Sequence, residues 1–292
     1  MDPATLPIDP DYLLSGFIAF ILLSFVLYGV LTAQTYMYTA RFPSDSTTTK
    51  LAVFGLWFLE SVHTLLTGRV TFYYGVYAIK NPDHLLKIDW SVALVLWLEI
   101  GIVAIVQGSY IRRIWILSEK WKLLTGIAIA LFLARIVFLG ASAYHMFRFP
   151  TWAAFQGSRI SNLFVETAIG LSVAVDFVVA STMVYYCRIK HMGSSRTNRS
   201  SKLDYALNSL MTYSVHSGLI TTAVSLSVAL TYACLKDNLV YVGLAALVSK
   251  LYSNSLLGML NARIHLRSMV YSGPAMNVNL EALSESSGSA AV

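Results

Sequence analysis

Charge is scarce in this chain. Only 12% of its 292 residues are Asp, Glu, Lys or Arg, about half the share usual in soluble domains. That leaves too little ionic surface to face water on all sides. Cysteine is nearly absent: Cys187 and Cys234 are the only two, and they fall at opposite ends of successive apolar runs, too far apart to be bridged. A disulfide scaffold is thereby excluded, and each thiol reads as a small isolated side chain. The histidines His63, His84, His145, His191, His216 and His265 never adopt H-x-x-x-H or H-x-x-x-D spacing, so no metal site is expected and a seven-helix zinc hydrolase is disfavoured. The opening MDPATLPIDPDY carries Asp2, Asp9 and Asp11 but no base, unlike the start of a secretory signal peptide. Ten-residue segments of alternating polarity, the mark of a membrane barrel, are also missing.

What the chain does have is apolar length. Seven runs stand out at roughly 14–38, 51–77, 91–111, 122–147, 162–187, 205–233 and 239–262. About 20 apolar residues carry a helix across hydrocarbon, where an open strand would leave its backbone unpaired. The expected fold is all-α: a polytopic membrane protein, one seven-transmembrane-helix bundle over 14–263, with a short extracellular segment at 1–13 and a flexible cytosolic tail at 264–292. Thirteen Lys and Arg fall on the connections 1–2, 3–4, 5–6 and the tail, five on the opposite side, and three (Arg69, Arg135 and Lys250) within runs. Under the positive-inside bias this predicts an outside N-terminus and a cytosolic C-terminus, with the plasma membrane as the expected location. It also accounts for the net charge of +6 without a nucleic-acid partner; the partner is the lipid bilayer. The connection 190–203, KHMGSSRTNRSSKL, is basic and Ser-rich, a candidate surface for a cytosolic partner, and its Asn198-Arg199-Ser200 sequon would go unused on that side. Tyr73, Tyr74, Tyr77, Trp90, Trp115, Trp121, Trp152, Tyr185 and Tyr186 gather near run ends, as an interfacial aromatic belt does.

Ionisable groups within the runs are the candidates for function, since a charge at a helix centre costs about 2.5–3.5 kcal/mol on insertion scales. Glu60, His63 and Thr67 share one helical face of the second run. Glu99 lies on the third, Arg135 on the fourth, and Glu166 and Asp176 on the fifth. The sixth aligns Tyr205, Ser209, Thr212 and His216. The seventh aligns Gly243, Lys250, Asn254 and Asn261. A mid-run lysine needs a carboxylate, must lose its proton, or binds something; Glu60, Glu99, Glu166 and Asp176 are the available acids. Lysine on a seventh helix raises the question of retinal, but Ala246 stands where microbial rhodopsins usually place a carboxylate, so retinal on Lys250 is disfavoured and no cofactor is expected. The D-R-Y and N-P-x-x-Y motifs of animal-type receptors are missing. A fungal-type terpene cyclase would pair Glu60 with Glu166 or Asp176 as acids in an aromatic pocket.

The stretch KLYSNSLLGMLNAR (Lys250–Arg263), with AQTYMY in the first run and the R-x-W of Arg113–Trp115, resembles a large family of uncharacterised membrane proteins abundant in basidiomycete fungi, whose domain has no known function. The resemblance runs from about Ser15 to Arg263. It implies seven helices and a cytosolic tail, and it brings no activity or catalytic residues. The leading expectation is a receptor-like or sensor-like protein. Its polar intramembrane cavity, lined by Glu60, His63, Glu99, His216, Lys250 and Asn254, would take a proton or a small apolar or amphipathic ligand. The alternatives are a membrane enzyme acting on a lipid or isoprenoid, in which Glu166 would take part, and a transporter.

Overall fold

The computed structural model describes residues 10–77, 80–194, 202–235 and 239–271, with side chains at 14–77, 80–186, 189, 218–235 and 239–263. Its long elements are α1 (Pro10–Arg41), α2 (Thr47–Phe72), α3 (Trp90–Leu117), α4 (Lys122–Arg148), α5 (Arg159–Ser194), α6 (Lys202–Cys234) and α7 (Val240–Tyr271). No strand occurs among the described residues; a lone bridge joins Lys87 to Thr151. Among the described residues, six stretches are long and apolar enough to cross a membrane: Leu14–Arg41, Thr47–Tyr77, Trp90–Leu117, Lys122–Arg148, Arg159–Tyr186 and Val240–Arg263. Gly218–Cys234 adds a shorter apolar stretch, and the first half of α6 lies outside the described side chains. The chain is therefore a multi-pass helical membrane protein.

The helices start where the sequence supplies caps. Ser46 accepts from the amide of Thr49 at the head of α2, and Asp89 accepts from that of Ser91 at the head of α3, each satisfying a donor that the first turn orphans. Several helices outrun their apolar runs. α5 continues to Ser194 and α7 to Tyr271, because a hydropathy run marks only the length that lipid would cover, while the backbone ladder continues into water.

The packing order is a closed ring. Each long helix packs on its neighbours in sequence, α7 closes on α1, and α3 reaches across to α7. The α1–α7 seam is parallel: Asn254 Nδ2 donates to Leu27 O at 3.0 Å, and Asn261 Nδ2 donates to Gln34 O at 2.8 Å, one constant offset seven residues apart. Gly243 permits the approach, since a Cβ there would lie 2.9 Å from Phe17 O. Running parallel, α1 and α7 put Pro10 and Tyr271 at opposite ends of the bundle.

One end of the ring is roofed. A π-helical turn (Tyr73–Tyr77), a 3-10 turn (Pro82–Leu86) and a short helix (Trp152–Gly157) meet there. Tyr74 OH donates to Lys87 O at 2.9 Å and accepts from Trp152 Nε1 at 3.2 Å. Ile88 N donates to Pro150 O at 3.1 Å. This corrects the aromatic belt in part: Tyr77, Trp90, Trp121 and Tyr185 are exposed as expected, whereas Tyr74 and Trp152 are buried roof residues whose polar tips find partners inside.

Candidate functional site

Two buried polar networks occupy the ring. The first is made by α2 and α7. Glu60, His63 and Lys250 are each 0% exposed. Lys250 Nζ donates to Glu60 Oε2, and also to His63 Nδ1 at 3.2 Å. Ser249 and Ser253, one residue before and three after the lysine, donate to Glu60 Oε1 at 2.9 and 2.5 Å. The lysine's donation to Nδ1 puts the imidazole proton on Nε2, which has no hydrogen-bond partner among the described residues. Thr67 donates to His63 O at 2.8 Å. One carboxylate meets one ammonium, and both are buried.

The second network joins α3, α4, α5, α6 and α7. Arg135 approaches Glu99 at 3.8 Å, and its Nη1 donates to Tyr252 OH at 3.3 Å. Tyr252 OH donates in turn to Asp176 Oδ2. Asp176 also accepts from Ser225 Oγ at 2.8 Å and from Gln107 Nε2 at 2.9 Å. All six side chains are buried. Asp176 accepts from three donors; among the described residues Glu99 has the long pairing with Arg135 alone, and Arg135 Nε has no partner. Two carboxylates share one guanidinium, so the network carries a formal charge of −1 when all three are ionised.

Beside Glu99 and Arg135 lies a cavity of about 120 Å³. Its wall is aliphatic, from Val92, Leu96, Met146, Val165 and Val248 among others, and its polar groups are Glu99, Arg135, Ser142, Ser172, Ser225 and Tyr241. Val92, Met146, Val165 and Tyr241 pack in one cluster with Tyr74 and Trp152, which puts the cavity directly under the roof.

A protein-family model matches residues 172–265, the model of a family of unknown function (DUF6534). The match spans part of α5, all of α6 and most of α7, and so includes Asp176, Ser225, Lys250 and Tyr252 but none of Glu60, Glu99 or Arg135. No curated protein matches the chain, and no solved structure does.

The candidates from sequence thus separate. Glu60, His63 and Lys250 come together, away from the cavity. Glu99 lines the cavity, and Asp176 stands behind it, bonded to Ser225. Asn254 serves the α1 seam, donating also to Lys250 O at 2.8 Å. Glu166 is exposed. The side chain of His216, residues 195–201 and the side chains of the rest of the connection 190–203 lie outside the described residues. Arg135 is among the ionisable groups expected within the runs, whereas Tyr252, Gln107 and Ser225 join the site only through the structure; the partners of Arg135 all come from other helices.

Proposed function

We propose that this protein is a seven-helix sensor of a small, mostly apolar amine. The N-terminus lies outside and the tail in the cytosol, most economically at the plasma membrane and in a basidiomycete, as the resemblance implies. The observation that carries the reading is the aliphatic cavity bordered by Glu99. An engineered apolar cavity of about 150 Å³ accepts benzene, so a cavity of about 120 Å³ sets the ligand near that size. An uncompensated buried charge is costly. The surplus negative charge of Glu99, Asp176 and Arg135 is neutralised by a proton or by a cationic ligand head, and Glu99 is the acid that faces the cavity, beside Arg135. An ammonium there gains a charge-assisted bond while its apolar body covers Val92, Leu96 and Val165. The connection 190–203 is the coupling surface proposed from its charge.

The test is thermal unfolding of the whole chain in nanodiscs with benzylamine, benzyl alcohol or benzoate. Benzylamine should raise Tm saturably and lose that effect in Glu99→Gln, while benzoate has none. If no compound shifts Tm, the cavity is not a binding site. If benzyl alcohol matches benzylamine in both proteins, the cavity stands and the ammonium does not.

A further inference from the structure

A second site lies at the opposite end of the bundle, in the lipid-facing groove between α3 and α4. The groove holds about 490 Å³ and is lined by Gly108, Ile111, Arg112, Trp115, Lys122, Thr125, Gly126 and Ile129. Its residues are graded by depth. Lys122 and Trp115 sit beside the α3–α4 turn, Arg112, Thr125 and Gly126 come next, and Gly108 and Ile129 lie furthest in. At 1.5 Å of rise per residue, Arg112 and Gly108 stand roughly 7 and 13 Å along α3 from its end at Leu117. The groove is therefore cationic and aromatic at the interface and bare further in. A Cβ at Gly108 or Gly126 would meet nothing within 4 Å, so neither glycine is needed for helix packing, and together they leave an open floor.

The polar end is built but unspent. Arg112 and Lys122 are exposed, and neither has an ion-pair or hydrogen-bond partner among the described residues. Thr125 is only 6% exposed, yet its Oγ1 has no partner, although a threonine inside a helix usually returns its hydroxyl to the preceding turn. The head of α4 has no side-chain cap and no acid in its first turn, leaving amides to favour an anion. The turn itself is held tight: Glu119 and Lys120 take left-handed φ values of 54° and 68°, and Lys120 N closes on Trp115 O at 3.0 Å.

We infer that this groove binds an anionic phospholipid from the leaflet at that end. The phosphate sits between Arg112 and Lys122, Thr125 Oγ1 turns from its buried position to donate to it, and the upper acyl chain lies over Gly108 and Gly126. The arginine–lysine pair supplies the charge, Trp115 marks the headgroup level, and the glycine floor distinguishes a lipid from a free anion. The site does not depend on the amine cavity. The basic side of the bundle, where anionic lipids gather on the cytosolic face, is the same side.

The experiment is native mass spectrometry of the detergent-purified full chain titrated with phosphatidylglycerol, phosphatidylcholine or inorganic phosphate. Phosphatidylglycerol should be retained over phosphatidylcholine by roughly tenfold or more, taking the usual contribution of each basic residue near an anionic surface. Arg112→Gln with Lys122→Gln should abolish the preference. Gly126→Leu, which alters no charge and fills open space, should lower retention of both lipids while melting like the parent. Lys80→Gln, an exposed cation at the roofed end, should change nothing. Equal retention of the two lipids, or an unchanged preference in the double variant, overturns the site. Inorganic phosphate displacing the lipid as well as another lipid does would make it a bare anion site and overturn the lipid.

Discussion

Lys250 shows what one residue demands of a bundle. Its ammonium has no route to water, and Glu60, His63 and the flanking Ser249 and Ser253 answer it. Such a pair adds little net stability over a hydrophobic pair, but breaking it strands a buried charge. Lys250→Ala is therefore expected to cost about 3–5 kcal/mol, whereas Lys250→Met combined with Glu60→Leu recovers most of the loss. Melting curves in nanodiscs read this directly; a single variant that melts with the parent would refute the closed pair. The sequence showed that Lys250 needed an acid and offered four, and it could not choose because inter-helix register is not written in any one run. Ser253, three residues on, shares the lysine's face, but a hydroxyl on α7 does not say which acid stands opposite. Arg135 was harder to read, since its partners Glu99, Tyr252 and, through the tyrosine, Asp176 come from three other helices.

At the scale of the element, the stripe on α7 has two functions that its spacing merged. Gly243, Asn254 and Asn261 belong to the α1 seam, and Lys250, seven residues after the glycine, turns to α2. Small residues and interhelical amides are how helices associate where lipid removes the hydrophobic drive. Gly243→Ala places a methyl carbon 2.9 Å from Phe17 O and 3.1 Å from its Cα, backbone that yields only if α1 moves. Overpacking of this kind costs about 1–3 kcal/mol. Gly170→Ala, with nothing within 4 Å of the new carbon, should be neutral or stabilise slightly through helix propensity. The comparison separates a seam defect from a general effect of alanine, and equal melting of the two variants would remove Gly243 from the seam. The helices themselves were legible because their apolar runs are long. The roof was not, because Tyr74 and Trp152 at the ends of apolar runs look the same whether they face headgroups or each other.

At the scale of the molecule, the roof, the cavity and the basic turn fix a direction. The α3–α4 turn carries Arg112, Arg113, Lys120 and Lys122 against Glu119, while the roofed end, where the cavity beside Glu99 sits, is poorer in bases. If the positive-inside bias holds, the cavity lies at the outer end and the proposed phospholipid groove at the cytosolic end, so the proposed sensor has its input and its membrane anchor on opposite faces. Cys234 tests the direction. It ends α6 at the roofed end and is a free, exposed thiol. In a Cys187→Ser background it is the only cysteine left. An impermeant maleimide added to intact cells should label Cys234 fully, and permeabilisation should add little. Labelling only after permeabilisation would invert the bundle, point the amine cavity at the cytosol and put the Arg112–Lys122 groove in the outer leaflet, where anionic phospholipid is scarce. Labelling is independent of any ligand, so it decides the orientation whether or not an amine binds beside Glu99.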